Sequence, residues 1–256
     1  MELKYKNVAS VYDLVYESRI EDVEFYLQEA LRAQPKRVVE LGCGTGRVTL
    51  PLAKLLPNSQ VFGIDMDADE IAVLAGSIQN QGLANVDVKC ENITSFAEKD
   101  IDLVIAPFRV FQHVLNLEEF RACLRTVASC LKPGASFHFD LFNPSIPLLA
   151  KKGLVNSQVF EDSEGYKIER TVNVHDQDYF AQTQLIEEDY VITAPDGSTH
   201  DLHWHYRTRY YFLGEVVPII EASGFRIDRV NSDFTGTAYG QGAYPGDLVF
   251  KVIREG

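Results

Sequence analysis

The sequence predicts an α/β protein: an open, mostly parallel sheet with helices on both faces and an antiparallel β insertion late in the chain. Three observations predict it. Short strand-like runs at 38–41, 60–65, 86–90, 101–107 and 135–141 alternate with stretches of helical period, the rhythm of repeated β-α units. The first run enters a glycine cluster, Gly42-Cys43-Gly44-Thr45-Gly46, before the period changes to that of a helix. Between 145 and 212 the β-α rhythm stops and period-two alternation takes over, with Pro195-Asp196-Gly197 as a hairpin turn.

Taken in order, residues 5–33 carry mixed helical spacing (Val11, Leu14, Val15, Val23, Phe25, Leu27, Leu31) and stop at Pro35. Val38-Val39-Glu40-Leu41 is a buried strand, because β-branched and aliphatic residues run without polar alternation. Glycine at 42, 44 and 46 removes Cβ atoms where the chain bends and a ligand must come close. Val48, Leu52, Leu55 and Leu56 then mark one apolar helix face, whose N-terminal N–H groups point at a small-molecule site. The second strand, 60–65, ends on Asp65, 19 positions after Gly46. A carboxylate about 20 residues beyond such a loop accepts hydrogen bonds from ribose hydroxyls, so a ribose-bearing cofactor is expected.

Asp67 caps a helix through Ile78 that Gly82 ends. The third strand, 86–90, leads to Asn92 and Ile93, and the fourth, 101–107, ends at the carboxyl edge, where ligands bind in open α/β sheets. Ala106 and Phe108 to His113 therefore line the site. A helix at 117–131 closes at Lys132-Pro133-Gly134, and the fifth strand, 135–141, leads to Asn143. After the insertion, a helix at 214–223 and strands from Gly224 and Asp247 return to the core.

Glu-Leu-Gly-Cys-Gly-Thr-Gly at 40–46, Gly-Ile-Asp at 63–65 and Leu-Lys-Pro-Gly at 131–134 together resemble the class I S-adenosylmethionine (SAM)-dependent methyltransferases, small-molecule type. The resemblance implies a Rossmann-like seven-stranded methyltransferase sheet. It implies a SAM-binding core over 1–144 and 213–256, with 1–33 as an N-terminal lid, and an antiparallel insertion over 145–212 covering the substrate pocket. It implies SAM as cofactor, held by Tyr12, Arg19, Glu40, Gly42, Cys43, Gly44, Gly46, Asp65, Met66, Asn92, Ile93, Ala106 and Phe108. Tyr12-Asp13 and Tyr16 match a Y-D-x-x-Y element of such lids. Aromatic faces there attract a sulfonium or ammonium cation, and Arg19 can grip a carboxylate. The family usually has an acid where Asn92 stands, but an amide both donates and accepts.

The expected chemistry is methyl transfer to nitrogen or oxygen of a small molecule, with Tyr16, Phe111, Asn143, Trp204, Arg207 and Tyr210 as the substrate wall. His113 is the candidate base. His203 and His205 flank Trp204, with His200 nearby, but no clear carboxylate partner accompanies them, and no metal is expected. A SAM-binding protein without turnover is the main alternative. An NAD-dependent oxidoreductase fits less well, since the glycine spacing is not G-x-G-x-x-G and no Tyr-x-x-x-Lys pair occurs.

The chain has 256 residues and a net charge of −13, which argues against nucleic acid or an anionic membrane as partner. No apolar run is long enough to span a bilayer, and the N-terminus lacks an apolar signal core. The 4 cysteines form no CxxC pair. A cytoplasmic enzyme is expected, its oligomeric state open, with a homodimer compatible.

Overall fold

A computed structural model describes residues 4–256. Residues 1–3, the head of the expected lid and of the expected leaderless N-terminus, lie outside the described residues. In chain order the elements are α1 (Val8–Tyr16), α2 (Glu21–Ala33), β1 (Arg37–Leu41), α3 (Thr49–Leu55), β2 (Gln60–Asp65), α4 (Ala68–Gln81), β3 (Val86–Cys90), β4 (Ile101–Ala106), a 3₁₀ turn (Val110–His113), α5 (Leu117–Cys130), β5 (Leu131–Phe142), α6 (Ile146–Leu149), β6 (Gly153–Glu161), β7 (Lys167–Asp178), β8 (Thr183–Thr193), β9 (Thr199–Arg209), α7 (Leu213–Ala222), β10 (Phe225–Asn231) and β11 (Asp247–Arg254).

They fall into two compact units. Arg19–Pro144 with Tyr210–Gly256 form the larger, and residues 4–18 with Ser145–Arg209 form the smaller. The larger holds a seven-stranded sheet in the order β10-β11-β5-β4-β1-β2-β3. Neighbouring strands from β3 to β5 run parallel, and β11 is antiparallel to both β5 and β10. Alternate residues of the central strands feed two cores. Val39, Leu41, Val104 and Ala106 pack with Phe120, Leu124 and Val127 of α5 and with Val216 and Ile220 of α7. Val38, Leu103 and Ile105 pack with Phe25 and Tyr26 of α2 and with Leu52 of α3. Burial on both faces is why these strands read as continuous apolar runs.

Capping is as the residues dictate. Asp67 accepts from the Asp69 and Glu70 N–H groups at the head of α4, and Gly82 closes its end at φ 64°. Asn116 caps α5 through the Glu119 N–H.

The smaller unit is a four-stranded antiparallel sheet, β6-β7-β8-β9, with α1 against one face. Val11 and Val15 of α1 join Tyr5, Ile168, Tyr190 and Ile192 in one core. Pro195-Asp196-Gly197 does turn the chain between β8 and β9: the Gly197 N–H bonds to the Ala194 carbonyl at 2.9 Å, with Gly197 at φ 84°.

Three features depart from the sequence reading. The 5–33 segment is two helices, and the first belongs with the antiparallel sheet rather than with the core. The Asn7/Ser10 capping box starts α1 as a separate helix, whose apolar face matches the sheet. The unit boundary falls after Arg209 rather than Phe212. Strand β6 was not foreseen, because it is a largely exposed edge whose Asn156, Ser157 and Gln158 give no apolar alternation. Among the described residues no helix is long and apolar enough to cross a membrane.

Candidate functional site

The site of the larger unit begins where β1 runs into the glycine turn. Gly42, Gly44 and Gly46 have φ of 67°, 52° and 97°, values that L side chains rarely adopt. Two of the three are demanded by the protein's own packing. A Cβ on Gly42 would lie 2.2 Å from Val110 Cγ2, and one on Gly46 would lie 2.3 Å from Leu74 Cδ1. Gly44 is different: its Cβ would meet only the end of the Glu70 side chain, at 3.1 Å.

The turn is tied to β2. The Gly42 and Cys43 N–H groups donate to the Ile64 carbonyl at 2.7 and 3.2 Å. The Gly44 N–H donates to Asp65 Oδ2 at 2.9 Å, and the Asp67 N–H donates to Asp65 Oδ1 at 3.0 Å. These bonds hold the carboxylate beside the glycine turn and occupy about half of its lone pairs, so it can still accept two hydroxyl donors. The Cys43 side chain is buried, with Sγ 2.9 Å from where a Cβ on Gly63 would lie, so this residue offers its backbone alone. Glu40 is buried behind the turn, where the Thr49 hydroxyl donates to Oε2 at 2.5 Å and braces β1 to α3. Burial pushes the Glu40 carboxyl up to about 8.

Beyond β2, Met66 is 74% exposed. Asn92 is exposed, its Oδ1 accepting from the Thr94 N–H at 2.8 Å, while Ile93 is half-buried against the α5 core.

At the end of β4, Ala106 is fully buried and the chain then passes through two successive left-handed residues, Phe108 (φ 62°) and Arg109 (φ 64°). Each costs roughly 1–2 kcal/mol for an L residue. Asp140 of β5 holds them: Oδ1 accepts from the Phe108 N–H at 2.9 Å and Oδ2 from the Arg109 N–H at 3.0 Å. The Tyr26 hydroxyl donates to Oδ1 at 2.6 Å. Full burial nevertheless raises the Asp140 carboxyl to about 6.

The Phe108 ring meets two guanidinium groups, Arg19 and Arg47, each 4.7 Å from its centroid. Arg47 is fixed by Asp22 through two bonds of 3.0 and 2.5 Å, and it also donates to the Arg19 carbonyl at 2.9 Å. His113, on the 3₁₀ turn, is exposed, yet protein packed around its ring lowers its pKa against a weaker opposing pull from Asp65. It is therefore a neutral imidazole at pH 7.

Three expected substrate residues of this unit are engaged within the protein. Phe111 is fully buried, edge-on to Phe120, Phe137 and Phe139, because the 3₁₀ turn points it into the core. The Asn143 amide donates to the Pro245 carbonyl at 2.5 Å, anchoring the segment before β11. Tyr210 is buried, edge-on to Phe212.

The remaining candidates belong to the smaller unit. Tyr12 and Tyr16 are 4.7 Å apart, and the Tyr16 hydroxyl accepts from Arg170 Nη2 at 3.0 Å. Arg170 pairs with the buried Glu188 at 2.8 Å, and Glu188 also accepts from Tyr190 at 2.6 Å and Tyr206 at 2.8 Å. Trp204 is half-buried, 4.2 Å from Tyr206, whereas Arg207 is exposed and pairs with Asp176. The two lie on opposite faces of β9 and cannot line one wall. His203 and His205 share the exposed face, where His203 bonds to Asp189 at 2.6 Å. No group of three or more His, Cys, Asp or Glu among the described residues is arranged for a metal ion.

Sequence reasoning missed Asp22, Tyr26, Arg47 and Asp140. One signal was available: Asp140 is an acid inside the otherwise apolar run Phe139-Asp140-Leu141-Phe142.

Residues 38–134 match the family model of a methyltransferase domain. The malonyl-[acyl-carrier protein] O-methyltransferase of Bacillus cereus is 38% identical over 84 residues, 32% of this chain and 30% of that one. The chain spans about a third of the length of the curated relatives matched with it first. Over the whole length, the fold is similar to an SAM-dependent methyltransferase from Clostridium acetobutylicum, with a TM-score of 0.79 at 15% identity, covering 97% of this chain and 98% of that one. It is also similar to SAM-bound CalS10, an amino pentose methyltransferase from Micromonospora echinaspora, with a TM-score of 0.72 at 18% identity, covering 95% and 96% of the two chains.

Proposed function

We propose that this chain is a class I SAM-dependent methyltransferase that moves a methyl group to a nitrogen or oxygen of a small molecule, a reading its family match over 38–134 and its fold support. One observation carries the reading: the Gly44 N–H and the Asp65 carboxylate, joined at 2.9 Å, meet at the carboxyl edge of β1 and β2. SAM fits this donor set, and when bound it supplies an electrophilic methyl on a sulfonium.

The rest of the work is positioning by the chain. Asp65 takes the ribose hydroxyls, and Asn92 and Ile93 take the adenine. Arg19, beside the Phe108 ring, takes the amino-acid carboxylate. His113, neutral at pH 7, accepts the proton released by a hydroxyl or ammonium acceptor. The amino pentose named for CalS10 supports a small-molecule acceptor, as does the net charge of −13.

The test has two stages. SAM and S-adenosylhomocysteine (SAH) should raise the melting temperature while NAD does not; stabilisation by NAD alone ends this reading. An acceptor screen scored by SAH release then separates an enzyme from a binding protein. With an acceptor in hand, His113→Gln should lower kcat with SAH affinity within twofold of the parent; an unchanged kcat removes the base.

A further inference from the structure

We propose that Asp140 is the positioning residue of the cofactor site, acting through the backbone of Phe108 and Arg109 without touching the cofactor. The proposal rests on the SAM reading above. Two adjacent left-handed residues that are not glycine do not persist without an external hold. Asp140 supplies it with one oxygen for each N–H, and the Tyr26 hydroxyl fixes the carboxylate from behind.

The turn directs three successive side chains. Phe108 goes to Arg19 and Arg47, Arg109 to Asp247 at 2.6 Å, and Val110 onto Gly42. One buried carboxylate on β5 thus sets both the aromatic wall of the site and the packing that shapes the glycine turn. The groups facing Asp140 are Tyr26 and Asp22 from α2, Arg109 from its own partner turn, and Asp247 from β11. Asp22 is itself paired with Arg47.

Asp140→Asn is the direct probe. An amide keeps one acceptor oxygen but turns an N–H₂ toward the second backbone N–H, so one bond is lost and a donor faces a donor. SAH titration calorimetry at pH 7.5 should show affinity about tenfold weaker, the worth of roughly one hydrogen bond to a charged group. Amide exchange should quicken at Phe108 and Arg109. A folded Asp140→Asn protein that binds SAH within twofold of the parent overturns the proposal, even if it melts earlier.

If that variant does not fold, Tyr26→Phe decides. It keeps both backbone bonds but removes a donor that favours the ionised carboxylate, so the acid limb of SAH affinity should move to higher pH. An unmoved limb overturns the proposal, because a packing role for Tyr26 gives no reason for a shift. A parent protein that binds no SAH at all overturns the cofactor reading instead, which keeps the two failures distinct.

Discussion

Replacing Gly42 and Gly44 by alanine, one at a time, separates a glycine held by protein packing from one facing the ligand. Both have positive φ, at 67° and 52°, so each alanine carries roughly 1–2 kcal/mol of backbone cost. The surroundings then differ. At 42 the new Cβ would sit 2.2 Å from Val110 Cγ2 and must displace a branched side chain, an overpacking cost of about 1–3 kcal/mol. At 44 it meets a carboxylate end that can swing away. Gly42→Ala should therefore lose about 2–5 kcal/mol in urea denaturation and Gly44→Ala about 1–2 kcal/mol. SAH affinity should fall more in Gly44→Ala, whose methyl stands where the backbone must be approached. Adding Val110→Ala to Gly42→Ala should return the overpacking part, seen as non-additivity in the double-mutant cycle. Equal losses at 42 and 44, with no coupling to Val110, would refute the account of the loop.

Two further outcomes are expected. Glu40 has its folded pKa raised to about 8, so the native state holds a proton that the unfolded chain releases near pH 4.5; its contribution is complete below that value and fades as pH rises toward 8. Glu40→Gln, which keeps an acceptor for Thr49, should thus gain on the parent by about 1.4 kcal/mol per pH unit across that window. Stability curves that stay parallel from pH 5 to 8 would show that Glu40 is not protonated in the fold. Glu188→Ala should destabilise the antiparallel unit by about 3–5 kcal/mol, by leaving Arg170 buried without its carboxylate. The single tryptophan, Trp204, lies in that unit and reports it by fluorescence; an unmoved Trp204 transition would argue against a structural ion pair.

The middle of the sheet was legible because its central strands are buried on both faces and therefore read as apolar runs, as at 101–106. The glycine turn and Asp65 were legible because close packing leaves a residue-type signature at fixed spacing. Residues whose part depends on direction were harder. Phe111 and Phe108 are both phenylalanines at the sheet edge, but the left-handed turn at 108–109 sends one to the arginines and the other into the core. Nothing local in the sequence marks that turn, since its hold comes from Asp140, which is distant in the chain. Trp204 and Arg207 could have been separated beforehand, because an odd offset along a strand puts two side chains on opposite faces. What packs on the N-terminal helix was not legible, because helical period shows which face is apolar but not what covers it.

That helix bears on how the protein is made. The hydrogen bond from Arg170 to Tyr16 spans 154 positions, and α1 shares its core with strands as late as Tyr190 and Ile192. At a ribosomal rate of about 5–20 residues per second, roughly ten seconds to half a minute pass before those partners emerge. Val11 and Val15 have no sheet to cover them in that interval, while β1 to β5 are synthesised and begin to pair. Helix α1 thus leaves the ribosome well ahead of the strands that bury it, and a nascent chain halted before residue 190 should engage hydrophobic-binding chaperones through α1.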